Sequence, residues 1–419
     1  MIDRREVTGV TSRMPMEIWT LVGAAFLVAI GFGLVAPALP TFARGFGVGV
    51  TWASAVISAF AFMRLGFAPA AGRLVNTFGE RRMFLLGLLV VAGSTSACAV
   101  AQSYWQLLVF RAVGGVGSIM FAVSALSLLV RLTAPAQRGR ASGMWASGFL
   151  LGNITGPLLG GGLTTVSIRA PFVVYAVELL ITALVSGLIL RRSPRAGRRP
   201  VGTQPAITLR AALAHPAYRA ALVGNFADGW LVFGVRVSLV PLFVVEVLGR
   251  APSWAGIALA VFAIGNAITL LFAGRWADSC GRRPPLLVGL FVSAVATGAI
   301  GFFMSLPAFL VTALVSGLGS GLINPPLNAT VGDVVGSAGL GGPILARFQM
   351  TADLGTIVGP VVSGFVAEAI SFRAAFLLTG VVSLAAFAVW LWAPETLPTS
   401  AAGSAARGST RVSGADTGG

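Results

Sequence analysis

Twelve long apolar stretches dominate the chain, and each has about the length that a bilayer requires of one helix. A hydrocarbon core about 30 Å thick needs roughly 20 apolar residues. The stretches lie at about residues 17–40, 52–73, 83–102, 105–131, 140–163, 171–190, 218–245, 253–274, 284–304, 307–330, 344–367 and 372–393. Because lipid offers no hydrogen-bond partner to the backbone, each stretch is expected to be an α-helix. The sequence therefore predicts an all-α membrane protein with twelve transmembrane helices.

Low charge content points the same way. Charged residues make up 10% of the 419 residues, whereas a soluble domain carries about 25%, and this argues against a soluble enzyme. The basic residues are all arginines and stand in short clusters between apolar stretches, which argues against a nucleic-acid partner. With one histidine and two cysteines, the chain is predicted to have neither a metal site nor a cofactor.

The arginines are distributed unevenly between the two sides of the membrane. Segments on one side, which we call the arginine-rich side, carry 22 arginines, and loops on the opposite, arginine-poor side carry four. Cytoplasmic loops are enriched in arginine. We therefore expect a multi-pass protein of the cell (inner) membrane, with both termini in the cytoplasm and with lipid as its surroundings. We expect it to be a monomer.

Polar segments divide the chain into five parts. We predict a cytoplasmic N-terminal segment at residues 1–16, a six-helix bundle at 17–190, a cytoplasmic linker at 191–216, a second six-helix bundle at 217–393 and a cytoplasmic tail at 394–419. The tail is rich in Gly, Ser, Ala and Thr, a composition typical of disorder.

The two predicted bundles repeat each other in sequence. At an offset of 202, the stretch 52–72 matches 254–274, and Gly115-Val116-Gly117-Ser118 matches Gly317-Leu318-Gly319-Ser320. At an offset of 203, Gly152-x3-Gly156-Pro157 matches Gly355-x3-Gly359-Pro360. Such duplication is typical of transporters built from two bundles related by an axis along the membrane normal.

A glycine–arginine turn follows each copy of the matched stretch. Its residues are Gly72, Asn76, Gly79, Arg81 and Arg82 in the first copy, and Gly274, Asp278, Gly281 and Arg282 in the second. The pattern resembles the signature of the major facilitator superfamily, which implies that fold and a role for these turns in holding one half against the other. Asn76 stands where that family usually has an aspartate, which puts the strength of the first contact in doubt.

The fifth stretch contains a glycine repeat, formed by Gly143, Gly152, Gly156, Pro157, Gly160 and Gly161. Glycines four residues apart leave one helix face without side chains, so a neighbouring helix can approach closely. The spacing resembles the motif of drug:proton antiporters of the same family. Packing of small residues without that function is the alternative.

Charges inside the apolar stretches are the candidates for function, because a charge in the hydrocarbon core costs at least about 2.5 kcal/mol. They are Arg64, Arg111, Glu178, Asp228, Arg236 and Asp353. The internal alignment places uncharged residues opposite Arg64, Arg111 and Asp353. Because glycines repeat and these charges do not, we expect the charges to serve binding and coupling rather than the scaffold.

Position along the helices predicts how the acidic groups act. Asp228 follows the interfacial Arg219 by nine residues, or about 13 Å, and is expected near the midplane as the titrating acid. A permanent structural ion pair is the alternative. Glu178 is a second candidate for proton coupling. Asp353 lies six residues beyond Arg347 and is expected to partner the arginines of the arginine-rich turns, in a gating and packing role.

Arg111 stands in the pattern Leu107-x3-Arg111-x2-Gly114-Gly115-x-Gly117, which resembles the arginine motif of the same family. The resemblance implies a part in proton transfer, with a structural interhelical hydrogen bond as the alternative. Polar and aromatic residues within the helices are expected to line a substrate cavity: Arg64, Arg236, Asn225, Trp230, Asn266 and Gln349.

These features favour a proton-coupled exporter of small amphipathic compounds, in which the two halves rock around a cavity. Its partners would be a small-molecule substrate and protons. A transporter of one metabolite, a sugar or an organic anion, by symport or uniport, is the alternative that Arg64 and Arg111 leave open. No catalytic cluster suggests an enzyme.

Overall fold

A computed structural model of the chain describes residues 14–133, 137–191, 209–335 and 342–397. The predicted tail beyond residue 397, most of the N-terminal segment and most of the linker lie outside these ranges. The described residues form the following twelve long helices: α1 (Met16–Val35), α2 (Val50–Phe78), α3 (Glu80–Ala99), α4 (Tyr104–Leu132), α5 (Arg138–Thr164), α6 (Ala170–Arg191), α7 (Pro216–Val247), α8 (Ser253–Cys280), α9 (Arg283–Phe302), α10 (Leu306–Val335), α11 (Gly342–Ala369) and α12 (Phe372–Leu391). Two six-residue helices, Leu39–Arg44 and Leu209–Ala214, accompany them.

By length and composition, eleven of the twelve are apolar enough to cross a membrane. The exception is α5, in which glycines, Asn153 and Pro157 replace larger apolar residues. Its 27 residues nevertheless extend over about 40 Å at 1.5 Å per residue, which is enough to span the hydrocarbon core. The prediction of an all-α protein with two six-helix bundles is confirmed.

Two helices of the second half depart from regular α-geometry. Helix α7 is α-helical up to Asp228 and widens into π-helical turns at Gly229–Val235, a feature that is frequent at functional sites. Helix α10 is interrupted between Gly321 and Asn324. Pro325 and Pro326 follow directly, and because proline has no N–H to donate, the first segment cannot continue through them.

Backbone geometry repeats between the halves at the offset found in the sequence. Among the described residues, those with positive φ are Gly47, Gly79, Gly249 and Gly281, which form two pairs 202 residues apart. This left-handed conformation favours glycine, which lacks a Cβ atom. Gly79 and Gly281 end α2 and α8, where each glycine–arginine turn begins. The conformation explains the glycine at these two turn positions, whereas Gly72 and Gly274 have open space beside them.

Close helix contacts repeat as well. A Cβ atom added at Gly115 of α4 would collide with the Phe60 carbonyl of α2, and one added at Gly317 of α10 would collide with the equivalent Phe262 carbonyl of α8. In the same way, α5 packs against α1 and α11 packs against α7. The duplication in the sequence is therefore a duplication of helix packing.

The glycine repeat of α5 is the face that contacts α1. A Cβ atom at Gly152 would lie 2.6 Å from the Cβ of Ala29, and one at Gly156 would lie 2.9 Å from the Cα of Gly33. Gly160 packs against the Leu34 carbonyl. Pro157 lies on the same face, beside Gly33. The glycines thus bring the two backbones together, as the spacing predicted.

Helix α11 repeats this arrangement against α7. Gly355 packs on the Phe226 carbonyl, and a Cβ atom at Gly359 would lie 3.1 Å from the Trp230 ring. Pro360, like its counterpart in α5, faces a glycine of the partner helix, Gly234.

Gly156→Ala is expected to lower the melting temperature of the purified protein, because an added methyl group that must push α1 away costs about 1–3 kcal/mol. Gly143→Ala is the matched control in the same helix and the same motif, since nothing lies within 4 Å of a Cβ atom there. It should leave the melting temperature unchanged or raise it, because alanine favours the helix by up to about 1 kcal/mol. Equal melting temperatures for the two variants would contradict the packing role.

Candidate functional site

The two halves are joined by hydrogen bonds on the arginine-poor side of the membrane. Glu368, at the end of α11, accepts hydrogen bonds from the backbone N–H and the hydroxyl of Thr51, at the start of α2, at 2.9 and 2.6 Å. Deeper in the membrane, the Ser58 hydroxyl donates to the Ile357 carbonyl at 2.6 Å. These contacts hold α2 and α11 together along their arginine-poor halves.

Close packing extends this junction, and it does so symmetrically. Gly364 of α11 packs on Ser54 of α2, because a Cβ atom added at Gly364 would lie 3.0 Å from the Ser54 hydroxyl oxygen. Gly161 of α5 packs on Gly256 of α8, the residue that matches Ser54 in the repeat. The last glycine of the α5 motif therefore belongs to the contact between halves, whereas Gly152, Gly156 and Gly160 contact α1.

An ion pair lies at the axis that relates the halves. Arg44 Nε is 2.6 Å from Glu246 Oε1, and the two residues are 202 positions apart. They are thus each other's counterparts in the repeat. Only residues next to a two-fold axis can contact their own counterparts, so this pair marks the axis on the arginine-poor side.

On the arginine-rich side, the acidic residues Glu80, Asp278 and Asp333 pair with arginines of their own half. Each half has its own ion pair there, Glu80–Arg131 at 2.6 Å and Arg282–Asp333 at 3.1 Å. The two pairs match at an offset of 202 with the charges exchanged. Together with the contacts above, this arrangement is a conformation closed on the arginine-poor side.

The second turn motif is held by ion pairs and by backbone hydrogen bonds to a carboxylate. Asp278 contacts Arg282 within the second half. Burial of Glu395 raises the pKa of its carboxyl group. Four backbone N–H groups, two of them from Arg282 and Arg283, donate hydrogen bonds to the carboxylate. These hydrogen bonds outweigh burial and hold the pKa of Glu395 below its usual value. In the first turn, Arg81 is half-buried and Arg82 is exposed. The acid that pairs there is Glu80, not a residue at position 76.

A cavity of about 210 Å³ lies between the halves, and we call it the central cavity. Every helix of the first half contributes to its lining, and α7 and α11 contribute from the second. Most of the lining is apolar or aromatic. The side chains used below are Phe32, Phe60, Arg64, Arg111, Phe121, Phe149, Asn153, Tyr175, Phe233, Gln349 and Asp353.

One ion pair crosses the cavity from half to half. Arg64 Nε on α2 lies 3.4 Å from Asp353 Oδ1 on α11. Asp353 was expected to partner the arginines of the arginine-rich turns, and this prediction is wrong. The close approach of α2 and α11 brings the Arg64 side chain within reach, which a depth estimate on one helix does not reveal.

Arg111 is buried at 4% exposure, and its guanidinium lies 4.3 Å from the centre of the Phe60 ring and 5.9 Å from that of Phe32. Among the described residues, no carboxylate lies within 4 Å of it and its Nε has no hydrogen-bond partner. The alternative role of Arg111, a structural hydrogen bond between helices, is therefore not supported at its Nε atom.

Asp228 is 3% exposed and does not face lipid. Its Oδ2 accepts a hydrogen bond from Asn324 at 2.8 Å, and its Oδ1 has no partner among the described residues. It lies between α7 and α10, outside the central cavity. No described arginine lies within ion-pair distance of its carboxylate, so the structure does not support the alternative of a permanent ion pair.

Glu178 of α6 lies one turn beyond the cavity residue Tyr175. Both of its carboxylate oxygens are buried, and within the described part of the chain neither has a hydrogen-bond partner. A buried carboxylate without partners is costly when ionised, so Glu178 remains a candidate for proton binding.

Of the six predicted cavity residues, Arg64 and Gln349 line the central cavity. Asn225 instead donates to the Phe348 carbonyl at 2.6 Å, and Trp230 packs against α11 with its indole N–H 3.3 Å from the Thr379 hydroxyl. Both lie on the face of α7 that contacts α11. Distance along a helix predicts depth but not direction, and these two side chains point away from the cavity.

The remaining two predicted residues also lie elsewhere. Asn266 donates to the Ser320 hydroxyl at 3.2 Å, between α8 and α10. Arg236 lines a separate cavity of about 20 Å³ within the second half, with its guanidinium 4.0 Å from the centre of the Phe262 ring.

Arg236 also corrects the expectation that the charges have no counterparts. Phe262 matches Phe60 in the repeat, and Ala313, which matches Arg111, lines the Arg236 cavity. An arginine from α7 therefore occupies, in the second half, the place that an arginine from α4 occupies in the first. Alignment could not show this, because the two arginines lie on helices that do not correspond.

Asn324 and Asn153 are among the residues that sequence reasoning missed. Asn324 was signalled by the Asn-Pro-Pro sequence, which marks a break inside an apolar stretch. Asn153 lies among the glycines of α5 and had no signal beyond its polarity.

Two matching six-helix bundles around a cavity at their junction define a secondary transporter fold. The sequence matches the Major Facilitator Superfamily over residues 21–249 and 221–414, and the chain belongs to this family. It is therefore a multi-pass membrane transporter and not an enzyme.

The relatives include resistance proteins. The chain is 26% identical to Multidrug resistance protein 2 of Bacillus subtilis over 385 residues, covering 88% of this chain and 94% of that protein. It is 27% identical to Tetracycline resistance protein, class G, of Vibrio anguillarum over 365 residues, covering 81% and 87%. A bacterial homologue of the human lysosomal transporter Spinster, crystallised inward-facing and unoccupied, shares the fold with a TM-score of 0.76 at 17% identity, covering 92% and 98%.

The Arg44–Glu246 pair should contribute modestly to closure on the arginine-poor side, since its side chains are 35% and 27% exposed and such pairs contribute roughly 0.2–1 kcal/mol. Glu246→Arg is expected to favour opening by up to about five-fold, and the double exchange Arg44→Glu/Glu246→Arg to restore closure. The measurement is labelling of Ser118→Cys, a position in the lining of the central cavity, by an impermeant maleimide added on the arginine-poor side, in the absence of Cys98 and Cys280. A double exchange that labels as fast as the single variant would refute this role.

Proposed function

We propose that the chain exports small amphipathic compounds in exchange for protons, by alternating access of the central cavity to the two sides. The observation that supports this proposal best is the cavity itself. It lies at the junction of the halves, its lining is mostly apolar and aromatic, and an ion pair joins the halves across it. Such a lining suits amphipathic compounds better than sugars, which need many hydrogen-bonding groups.

We further propose that the arginine-rich side is cytoplasmic and that the protein acts as a monomer in the inner membrane. In the described conformation, the cavity is then closed to the outside. Export requires the opposite conformation, in which the junction of α2 and α11 separates on the arginine-poor side. The Arg64–Asp353 pair lies deeper in the membrane than the Thr51–Glu368 and Ser58–Ile357 contacts, and it must change in that movement.

Coupling to protons then has a physical route. Protonation of Asp353 would remove one charge of the cross-half pair and weaken the contact between α2 and α11. Asp228 and Glu178 remain proposed proton sites, but each lies within one half and pairs with no arginine across the junction. We therefore place the coupling step at Asp353, with Arg64 as its partner.

Transport is tested in proteoliposomes with a pH gradient, using tetracycline, tetraphenylphosphonium and 1-naphthoate as probes. We expect at least one probe to accumulate when the lumen is acidic. Accumulation with an alkaline lumen would indicate symport, and equilibration without dependence on pH would indicate uniport. Either result would refute the exchange.

Asp353→Asn is expected to lower accumulation driven by the pH gradient at least ten-fold. Equilibration of the same probe down its own concentration gradient should continue. The asparagine cannot lose and regain a proton, so transport and proton movement become uncoupled. The same assay on Asp228→Asn and Glu178→Gln provides the comparison. Full coupling in Asp353→Asn together with its loss in Asp228→Asn would assign the role to Asp228.

A further inference from the structure

Arg111 leaves one positive charge of the central cavity without a counter-charge. Three lining residues carry a formal charge, Arg64, Arg111 and Asp353. Arg64 pairs with Asp353, so the remaining charge is that of Arg111. Among the described residues, no carboxylate lies within 4 Å of its guanidinium.

Isolation of this charge is unfavourable for the protein alone. An ion removed from water without a partner carries an uncompensated desolvation penalty. The faces of Phe60 and Phe32 compensate part of that penalty, since a cation over an aromatic ring is attracted by the ring's quadrupole. An anion that enters the cavity would supply the missing interaction. A guanidinium binds a carboxylate through two parallel hydrogen bonds, which adds directional preference to the charge.

The rest of the lining determines what such an anion carries. Phe121, Phe149 and Phe233 line the cavity together with the two rings beside Arg111. An aromatic or aliphatic body would bind favourably there, because it would bury its apolar surface among these rings. The ligand class is therefore one charged head group on an apolar body.

We propose that the central cavity binds amphipathic monoanions, with the carboxylate at Arg111 and the aromatic body among the phenylalanines. The proposal rests on the proposed function only in taking the same cavity as the binding site. It does not depend on proton coupling or on the direction of transport, since binding is measured without a gradient.

Glu178 is the acidic group that competes for this role. It lies on α6, one turn from Tyr175, and no described arginine is within 4 Å of its carboxylate. If Glu178 neutralised Arg111 in solution, the wild-type protein would not prefer anions, and Glu178→Gln would create the preference. Asp353 is already occupied by Arg64.

The second half offers a matched control. Arg236 lies over Phe262 as Arg111 lies over Phe60, at 4.0 and 4.3 Å. Arg236, however, lines the separate 20 Å³ cavity and donates its Nε hydrogen to the Val232 carbonyl. Arg236→Gln therefore removes an equivalent buried charge without altering the central cavity.

The test uses three probes of nearly equal size that differ in charge: 1-naphthoate, neutral 1-naphthamide and cationic 1-naphthylmethylammonium. Binding to the full-length protein in nanodiscs is measured by calorimetry at neutral pH without a gradient. We expect 1-naphthoate to bind at least ten-fold more tightly than either of the other two. Equal affinities, or tighter binding of the cation, would overturn the proposal without any variant.

Variants then locate the preference. Arg111→Gln is expected to weaken 1-naphthoate binding at least ten-fold and to leave 1-naphthamide binding within two-fold, which also shows that the variant is folded. Arg236→Gln should retain the wild-type preference for the anion. An anion preference that survives in Arg111→Gln, or that disappears equally in Arg236→Gln, would refute the assignment to Arg111. Failure of proton-driven transport with this preference intact would refute only the coupling.

Discussion

Close approach of helix backbones is the constraint on which this structure depends. In lipid, helices gain little from burying apolar side chains against each other, so packing at short distance has to stabilise the bundle. Glycines allow this close approach between α1 and α5 and between α7 and α11. They also allow it between α2 and α4 and between the matching helices α8 and α10. Because these pairs recur at offsets of 202 and 203, the same contacts build both halves and leave a cavity where the halves meet.

Five of the six charges inside the membrane, all except Glu178, are arranged on this scaffold in three ways. Arg64 and Asp353 neutralise each other across the junction, Arg111 and Arg236 lie over phenylalanine rings, and Asp228 is bound by an asparagine at a helix break. Only the first arrangement joins the two halves. Movement of the halves must therefore change the surroundings of Arg64 and Asp353, whereas the other groups keep their neighbours within one half.

Length and repetition made much of the fold predictable. Apolar stretches located the helices, including α5, whose many glycines lower its hydropathy below that of the other eleven. The matches at offsets of 202 and 203 include glycines that form close contacts, such as Gly115 and Gly152, but also Gly72 and Gly274, which have open space beside them. Side-chain direction was not predictable in the same way. Asn225 and Trp230 lie at plausible depths but face α11, and the π-helical turns that follow Asp228 change the angular spacing that a regular helix would give.

Pairing across the junction was also beyond the sequence. Asp353 is close to Arg347 along the chain, and the approach of α2 that brings Arg64 to it follows only from the packed structure. The equivalence of Arg111 and Arg236 could not be predicted for a similar reason. Each lies over the matching phenylalanine of its half, but Arg111 comes from α4 and Arg236 from α7, which do not correspond in the repeat. The two halves thus place an arginine at an equivalent point in space, although the two arginines do not align in the sequence.

Reciprocal opening of the two sides can be measured with spin labels at exposed counterparts in the repeat. Thr77 and Ser279 lie on the arginine-rich side, and Gln102 and Met304 lie on the arginine-poor side. Double electron–electron resonance in nanodiscs, with and without 1-naphthoate and at pH 5.5 and 7.5, gives both distance distributions. Alternating access predicts that any condition that shortens the Thr77–Ser279 distance lengthens the Gln102–Met304 distance. Distances that stay fixed under all conditions, or that lengthen together, would contradict it.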